Sequence, residues 1–353
     1  MSTAPIVHNS VLPRQIPSLR VVAIGGGTGL STLLRGLKQY VAAPPGTLPA
    51  NDPGCTDAPC LISDLAAIVT VSDDGGSSGR LRSDLKMLPP GDVRNCMVAL
   101  SGDEQLLSRL FQYRFQSGEG LEGHSFGNLF VAALSGITGD FAQAVQMSSQ
   151  ILATRGRIYP VTNSSVTLAA LMDDGTLVRG ETNITASKRR IVELRLEPED
   201  AKPLPEVLDA IAAAGLITIG PGSLYTSLIT NLLVRGVPEA LLAAKATRVY
   251  VCNLMTQANE SIGLTASQHI EKIFDHAGGR IFDYALVNTS PVSPKLVQQY
   301  AASGQQQIEP DLDRIESLGV KAVPGNFVFE GEVLRHDYDR VTAALLRLGL
   351  QPR

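Results

Sequence analysis

The sequence contains no tryptophan, and aromatic and charged residues are both scarce for a chain of 353 residues. Aromatic residues make up 5% and charged residues 18%, whereas hydrophobic residues make up 44%. This hydrophobic share excludes an intrinsically disordered chain and is enough for a large buried core. No apolar run approaches the roughly 20 residues of a membrane-spanning helix, so we expect no membrane span. The formal net charge of −4 provides no general attraction to nucleic acids, and we expect none as a partner.

Cysteine is also scarce, with four residues that show neither CxxC spacing nor zinc-like spacing to a histidine. A secreted chain of this size generally has a more systematic cysteine pattern. We therefore expect reduced thiols and a cytoplasmic protein.

The sequence lacks a GxSxG elbow and an HExxH motif, which weakens the interpretation as a hydrolase or a zinc enzyme.

Short β-branched runs alternate with amphipathic segments along most of the chain. The strands that this pattern predicts lie at residues 20–24, 66–71, 216–219, 248–252, 285–287 and 320–323. Helical spacing of apolar residues predicts helices between them, among them 93–100, 128–137, 141–152 and 224–234. Strands separated by helices predict a Rossmann-like, doubly wound α/β fold with a mostly parallel sheet, in a single domain over residues 20–349.

Three segments depart from this alternation. Residues 1–19 contain three prolines and lack the apolar core of a signal peptide, so we expect a flexible leader. Residues 41–64 are rich in proline, glycine and aspartate, which predicts a loop insertion. Residues 157–197 include a hairpin pattern around a turn at 173–175, so we expect a small β-rich excursion from the main sheet.

The strongest local motif joins the first predicted strand to a helix and runs Gly25-Gly26-Gly27-Thr28-Gly29. Glycines here allow positive φ angles and a close approach of a ligand to the backbone. The unpaired amides at the start of the following helix suit a phosphate group. The spacing is neither the dinucleotide pattern GxGxxG, because Leu30 takes its last position, nor a Walker A loop. The alternative is a tight turn that binds nothing.

The second predicted strand ends in a loop of acids, glycines, hydroxyl groups and an arginine. Its candidate ligand-binding residues are Asp73, Asp74, Gly75, Gly76, Ser77, Ser78 and Arg80. Loops at the carboxyl ends of parallel strands face the ligand crevice, so this loop is expected beside the first glycine motif. The carboxylates suit sugar hydroxyls or Mg²⁺, and the hydroxyl groups and the arginine suit phosphate oxygens. The alternative is a solvated turn.

Two further segments carry polar candidates at predicted helix starts. Asp92 is the expected N-cap of one helix, and Arg94 and Asn95 lie in its first turn, where a cation opposes the helix dipole unless an anion is near. The alternative is an Arg94 paired with a surface carboxylate. His124 and Asn128 flank the start of the next helix, and a purely structural histidine is the alternative there.

A second strand–glycine turn–helix unit provides another potential anion-binding helix start. Its candidate residues are Gly220, Gly222, Ser223, Leu224 and Tyr225. Ser223 also suits a plain N-cap role. Asn253 ends another strand and is expected to line the same crevice. Two such turns on one sheet predict binding of two phosphates or of one nucleotide diphosphate.

Taken together, these motifs closely resemble the YvcK family of gluconeogenesis factors, within the CofD-like superfamily. The segments that carry the resemblance are VVAIGGGTGLSTLLRGLK, AIVTVSDDGGSSGRLR, LPPGDVRNC, GHSFGN, GPGSLYTS and VCNLMTQ. They extend from about residue 20 to about residue 290, and the later RHD at 335–337 is a further match.

The resemblance implies a cytoplasmic, Rossmann-like protein that binds UDP-sugars, notably UDP-N-acetylglucosamine. It also implies a regulatory role in cell shape and in cell-wall precursor supply on gluconeogenic carbon sources, with no firm catalytic activity. In this interpretation Arg335 closes on the uridine diphosphate, and we expect a homo-oligomer. The alternative is the CofD branch, a Mg²⁺-dependent transferase acting on a nucleotide-activated phospholactate or a related substrate, with the metal at Asp73 and Asp74.

Overall fold

The computed structural model describes residues 19–41, 60–102, 104–187, 189–258 and 260–351. The expected leader therefore lies outside the described residues except for Leu19, and so does most of the expected loop insertion at 41–64. None of the helices in these ranges is both long enough and apolar enough to cross a membrane.

The described residues form twelve strands and fourteen α-helices. The strands are β1 (Leu19–Gly25), β2 (Ile62–Val69), β3 (Arg157–Pro160), β4 (Thr167–Met172), β5 (Leu177–Arg179), β6 (Ile191–Glu197), β7 (Leu216–Ile219), β8 (Thr247–Val251), β9 (Tyr284–Asn288), β10 (Lys321–Gly325), β11 (Val328–Glu330) and β12 (Leu334–His336). The first helices are α1 (Gly27–Lys38), α2 (Gly76–Leu85), α3 (Gly91–Leu100), α4 (Glu104–Gln112), α5 (Phe126–Thr138), α6 (Phe141–Ile151) and α7 (Glu181–Ala186). The later helices are α8 (Pro205–Ala213), α9 (Thr230–Leu232), α10 (Val237–Ala243), α11 (Ala266–Ala277), α12 (Pro294–Ala301), α13 (Leu312–Ser317) and α14 (Tyr338–Gly349).

Seven strands form a central sheet in the order β10-β9-β8-β7-β1-β2-β3, and every neighbouring pair is parallel. The chain starts at β1 in the middle, winds outward through β2 and β3, and then returns to the other side of β1 with β7. This is the doubly wound arrangement, and the predicted Rossmann-like fold class is confirmed. The order of the strands reverses between β1 and β7, which is where sheets of this kind form their ligand crevice.

The middle strands of the sheet are buried on both faces. Residues 65–69 of β2 and all of β7 are at most 1% exposed, as expected for parallel strands covered by helices on each side. Burial of each large aliphatic side chain in such a position contributes roughly 1.5–3 kcal/mol. The sheet is therefore stable enough to hold the loops at its edge in fixed positions.

A smaller cluster of buried apolar residues lies apart from this main core. It consists of Leu254, Met255, Val292 and Leu296. Tyr300 and the β11–β12 hairpin pack against it through Val328 and Leu334. One wall of the molecule thus has its own small core.

The expected β-rich excursion is present, but its predicted start is wrong. A three-stranded antiparallel sheet, β5-β4-β6, contains the predicted hairpin and begins at Thr167. Residues 157–160, predicted to belong to the excursion, instead form β3 and pair with β2 in the central sheet. A strand of the central sheet is buried on both faces, whereas a strand of the excursion is expected to alternate between buried and exposed residues. Four residues are too few to distinguish these two patterns, which explains the error.

Three other predictions need correction. β2 begins at Ile62, inside the segment predicted as a loop at 41–64. The helix predicted at 224–234 is π-helical over Leu224–Ile229 before it continues as α9. Cys60 is disulfide-bonded, so the expectation of reduced thiols is wrong there, whereas Cys96 and Cys252 are free and buried.

Candidate functional site

The two glycine turns meet at the edge of the sheet between β1 and β7. A Cβ atom placed on Gly29 would lie 2.3 Å from the carbonyl oxygen of Pro221, and one on Gly222 would lie 3.8 Å from the carbonyl oxygen of Gly26. The turns follow adjacent parallel strands, so their ends share one rim of the sheet. The prediction that both turns lie together on one rim is confirmed.

The first turn presents the start of α1 to the crevice. Gly26, the N-cap residue, is fully extended and provides no side-chain cap. Gly27 has a φ of +61°, in the left-handed region that favours glycine. The helix therefore begins abruptly after the strand, with backbone amides at the edge of the sheet.

Two neighbouring cavities open at this edge. The first, which we call the turn cavity, has a volume of about 480 Å³ and is bounded by both glycine turns and by residues 253–257. The second, which we call the helix cavity, has a volume of about 590 Å³ and lies along the first turns of α1. Thr28, Arg335 and His336 line both cavities, so together the two form one cleft.

Nine of the predicted site residues line this cleft. In the turn cavity these are Gly26, Gly27, Thr28, Gly29, Gly222, Ser223, Asn253 and Arg335. Asn95 lines the helix cavity, which Thr28 and Arg335 also line. Asn253 holds the second turn in place, because its Oδ1 accepts from the Gly222 amide at 3.3 Å and its Nδ2 donates to the Gly222 carbonyl at 2.7 Å. Ligand binding by these residues stays a prediction.

The other predicted residues, all within the described part of the chain, line neither cavity. They are Gly25, Asp73, Asp74, Gly75, Gly76, Ser77, Ser78, Arg80, Arg94, His124, Asn128, Gly220, Leu224 and Tyr225. Gly76 and Arg80 face a separate open recess formed with residues 118–123, where the Arg80 guanidinium donates to the Glu122 carbonyl at 2.7 Å.

His124 belongs to a buried hydrogen-bond network. Its Nδ1 lies 3.0 Å from Ser77 Oγ, and Asn128 Nδ2 donates to the same hydroxyl at 3.0 Å. Burial, followed by the positive charge of Arg80, lowers the pKa of His124. These contacts match the structural alternative for this histidine, since they join α2 to α5.

Arg94 and Ser125 are linked in the same region. Arg94 Nη1 donates to Ser125 Oγ at 2.7 Å, and Arg94 Nη2 donates to Asn95 Oδ1 at 2.8 Å. Ser125 also caps α5 by accepting from the Asn128 amide, as an N-cap serine should. The cation in the first turn of α3 is thus held by polar side chains rather than left without contacts.

The helix start after the second glycine turn already holds a carboxylate. Glu260 Oε2 accepts from the Tyr225 amide at 3.2 Å, and its Oε1 accepts from Thr226 Oγ1 at 3.0 Å. The Tyr225 ring is buried and packs edge-on against His276, and Leu224 is fully buried. A side-chain carboxyl group thus already occupies the Tyr225 amide at this helix start, and burial raises the pKa of that carboxyl. Anion binding at the second turn stays a prediction.

Two acids that the sequence did not mark as ligand-binding residues line the turn cavity. Asp92 was expected as the N-cap of α3, but the helix begins at Gly91 with Pro90 as N-cap. The Asp92 carboxyl instead lies beside the first glycine turn, with its oxygens 2.8 and 3.5 Å from the Cβ positions of Gly26 and Gly27. Burial, followed by the charge of Asp73, raises the pKa of Asp92 to about 7.

Glu181 is the second of these acids. Its Oε2 accepts from Ser72 Oγ at 3.0 Å. Burial, followed by the charges of Asp92 and Asp73, raises the pKa of Glu181 to about 9. This side chain is therefore neutral at neutral pH. No local pattern marks it, since it stands 109 residues from its serine partner.

His336 lies where the two cavities join. Its Nε2 donates to the Cys252 carbonyl oxygen at 3.0 Å. Burial lowers the pKa of His336 to about 4. At neutral pH it is an uncharged structural group, so Arg335 is the cation that the two cavities share.

The acids of the second loop do not fit a preformed magnesium site. Asp74 Oδ1 accepts from both the amide and the hydroxyl of Thr182, at 2.9 and 2.7 Å. Asp73 Oδ1 accepts from the Gly75 amide at 2.9 Å. In the residues that the structure describes, no group of three or more His, Cys, Asp or Glu side chains is arranged to hold a metal ion. Magnesium binding at Asp73 and Asp74 stays a prediction of the transferase alternative.

Comparison with known proteins identifies the family of this chain. Residues 21–328 match the family described as 2-phospho-L-lactate transferase CofD. The chain belongs to the CofD family. Among its relatives in this family are the gluconeogenesis factors of Halalkalibacterium halodurans, 47% identical over 327 residues (92% of this chain and 95% of that protein), and of Bacillus subtilis, 42% identical over 330 residues (93% and 98%).

A solved structure extends the CofD-family comparison to three dimensions. The crystal structure of a Bacillus halodurans protein, described as a member of the UPF0052 family, superposes with a TM-score of 0.85 at 46% identity, covering 94% of this chain and 99% of that one. The predicted membership of the gluconeogenesis-factor branch is confirmed.

Proposed function

We propose that this chain is a cytoplasmic regulatory protein that binds UDP-linked sugars, notably UDP-N-acetylglucosamine. The observation that carries the proposal is the meeting of the two glycine turns at the switch point between β1 and β7. Open α/β sheets bind their ligands at this place. The proposed role is to adjust cell-wall precursor supply and cell shape during growth on gluconeogenic carbon sources. The names of the relatives support the link to gluconeogenesis.

The charges of the cleft support a ligand with a diphosphate. Arg335 lies in the walls of both cavities, and a guanidinium binds phosphate oxygens through paired hydrogen bonds. The start of α1, at Gly27 and Thr28, adds backbone amides and the positive end of a helix dipole. Acids also line the cleft, but burial raises the pKa of Glu181 to about 9 and that of Asp92 to about 7, which reduces their negative charge near neutral pH. Asp337 in the helix cavity is paired with Arg340.

Thermal unfolding with and without UDP-N-acetylglucosamine tests the proposal. A ligand at about 100 times its Kd stabilises the native state by about 2.7 kcal/mol, so the melting temperature should rise with ligand concentration. Arg335→Ala should remove this rise. Arg314→Ala is the matched control, because Arg314 pairs with Glu271 and neither residue lines either cavity.

The ligand should be recovered unchanged after incubation with the protein. A wild-type melting temperature that millimolar UDP-N-acetylglucosamine and UDP both leave unchanged would contradict the proposal. The homo-oligomer expected from the sequence stays a prediction, and light scattering of the ligand-free protein tests it.

The second candidate function is a transferase acting on a nucleotide-activated phospholactate or a related phosphorylated substrate. The match to the CofD family over residues 21–328 favours it. Incubation with Mg²⁺ and GDP-linked phospholactate, followed by analysis for product, distinguishes the candidates. Product formation that Asp74→Asn abolishes would support the transferase, and a protein that binds UDP-sugars without turnover would support the regulator.

A further inference from the structure

The cleft has two ends, and the ligand proposed above has two ends as well. The turn cavity and the helix cavity share Thr28, Arg335 and His336. A diphosphate bound at this junction therefore sends its sugar into one cavity and its nucleoside into the other. This inference rests on the proposed function and asks which end of the ligand each cavity takes.

The turn cavity has the side chains that recognise sugar hydroxyl groups. Asp92 and Glu181 line it with carboxyl oxygens. Ser227 and Gln305 add a hydroxyl group and a side-chain amide. A hydroxyl group both donates and accepts, so this mixed set matches a sugar ring.

The helix cavity has an aromatic ring in an exposed position. Phe329 lies on the β11–β12 hairpin, lines the cavity and is 57% exposed. A ring so exposed contributes little to the core, but its flat face is available for stacking. Stacking of a base on an aromatic ring is favourable for any base.

Asn95 provides a directional hydrogen-bond donor in the same cavity. Its Oδ1 accepts from Arg94 Nη2 at 2.8 Å, and Arg94 is fixed in turn by Ser125. The amide therefore presents Nδ2, which has no hydrogen-bond partner among the described residues. Arg35 also lines the cavity, and a guanidinium can only donate.

We propose that the helix cavity is the nucleobase subsite of the cleft, in which the base stacks on Phe329 and Asn95 selects a base with an exocyclic carbonyl over one with an exocyclic amino group. The O4 carbonyl of uracil accepts from Asn95 Nδ2. In cytosine the amino group at the same position donates, so two donors face each other and the half-buried Asn95 donor is left unpaired. The turn cavity then holds the sugar.

Titration calorimetry with UDP, CDP and UDP-N-acetylglucosamine tests the assignment. The wild-type protein should bind UDP about tenfold more tightly than CDP, the size expected for one lost hydrogen bond and one unpaired donor. Asn95→Asp has the same shape and keeps the acceptor for Arg94, but it replaces the donor by an acceptor. It should abolish or invert the preference for UDP, while circular dichroism and melting confirm that it folds.

Phe329→Ala provides an independent measurement. It should weaken UDP and CDP alike by about tenfold, because stacking does not depend on the identity of the base. Val333→Ala is the matched control, since Val333 lies between β11 and β12, is 41% exposed and lines neither cavity. The control should bind all three ligands as the wild type does.

The outcomes separate this assignment from the proposed function. A wild-type protein that binds neither UDP nor UDP-N-acetylglucosamine refutes the proposed function itself. If the wild type binds both, but Asn95→Asp keeps the wild-type ratio of UDP to CDP affinity and Phe329→Ala binds UDP normally, the subsite assignment is wrong and the proposed function stands. Variants that weaken only UDP-N-acetylglucosamine place the sugar in the helix cavity and also overturn the assignment.

Discussion

The two glycine turns have similar sequences, yet the helices that follow them differ in accessibility. After the first turn, α1 begins without a side-chain cap, and the carboxyl that reaches it, Asp92, titrates near neutral pH. After the second turn, the Glu260 carboxylate is buried and bonded to Tyr225 and Thr226. An internal acid therefore lies at both helix starts, and the two starts differ in whether that acid is hydrogen-bonded to the first residues of the helix.

The two turns also differ in how closely they approach their neighbours. The Cβ position of Gly29 is blocked by backbone atoms of Pro221, which cannot move without moving the second turn. The Cβ position of Gly222 meets the end of the Leu228 side chain at 3.2 Å and Ser227 Cβ at 3.3 Å, so a methyl group there requires a shift of only a few tenths of an ångström. The contact between the two turns thus depends more on Gly29 than on Gly222.

The largest expected effect is that of Gly29→Ala. The new methyl group would overlap the Pro221 carbonyl, so we expect a loss of about 3 kcal/mol or more in the free energy of unfolding, as for severe overpacking. Urea unfolding measures it. Gly222→Ala should cost less than about 1 kcal/mol, since flexible side chains can adjust.

Gly136→Ala is the control for both variants. Gly136 lies in α5 with nothing within 4 Å of its Cβ position, so alanine should stabilise the protein by up to about 1 kcal/mol through helix propensity. Equal losses in Gly29→Ala and Gly222→Ala would show that the turns do not touch as described.

The next effect concerns the acid that fills the second helix start. Glu260→Ala removes the acceptor for the Tyr225 amide and the Thr226 hydroxyl, and each buried donor left unpaired costs about 1–3 kcal/mol. Thermal unfolding at pH 7 should show this loss. Glu316→Ala, at an exposed position of α13, should change stability by no more than about 0.5 kcal/mol. A Glu260→Ala variant as stable as the wild type would mean that this helix start needs no internal anion.

The smallest effect is a pH dependence at the first turn. The pKa of Asp92 is raised from 3.8 to about 7 in the folded protein, so its ionisation weakens the folded state as pH rises from about 4 to 7. Asp92→Asn removes this dependence of stability on pH, because asparagine does not ionise. Between pH 6 and pH 8.5 the variant should therefore gain about 1 kcal/mol relative to the wild type.

Urea unfolding of both proteins at the two pH values measures this difference. Asp209→Asn, in α8 and away from the cleft, is the control and should show no such change with pH. A difference between Asp92→Asn and the wild type that is the same at both pH values would show that Asp92 does not titrate in this range.

The sequence was sufficient for the parts of the fold and site that follow from local pattern. The run at Arg20–Ile24 and its glycines predicted β1, the turn and α1, and the alternation of strands with helices predicted the parallel sheet. Because neighbouring parallel strands end at one rim, the meeting of the two turns followed as well. These predictions needed only periodicity and general rules of topology.

The parts that could not be predicted depend on contacts between distant residues. Glu181 and Glu260 are single acids without a local motif, and their partners Ser72 and Thr226 lie 109 and 34 residues away. The π-helical stretch at 224–229 has the same apolar composition as an α-helix. Burial decides the pKa of Asp92, and burial is a property of the whole fold.

The small separate core has a consequence for the cleft. Leu254 and Met255 belong to it and also line the turn cavity, and the hairpin that carries Phe329 and Arg335 packs against it. A group of a few buried side chains has a lower free energy of local opening than the central sheet. We therefore expect the backbone amides of that wall to exchange with solvent by local opening, while the strands beneath it stay protected until global unfolding.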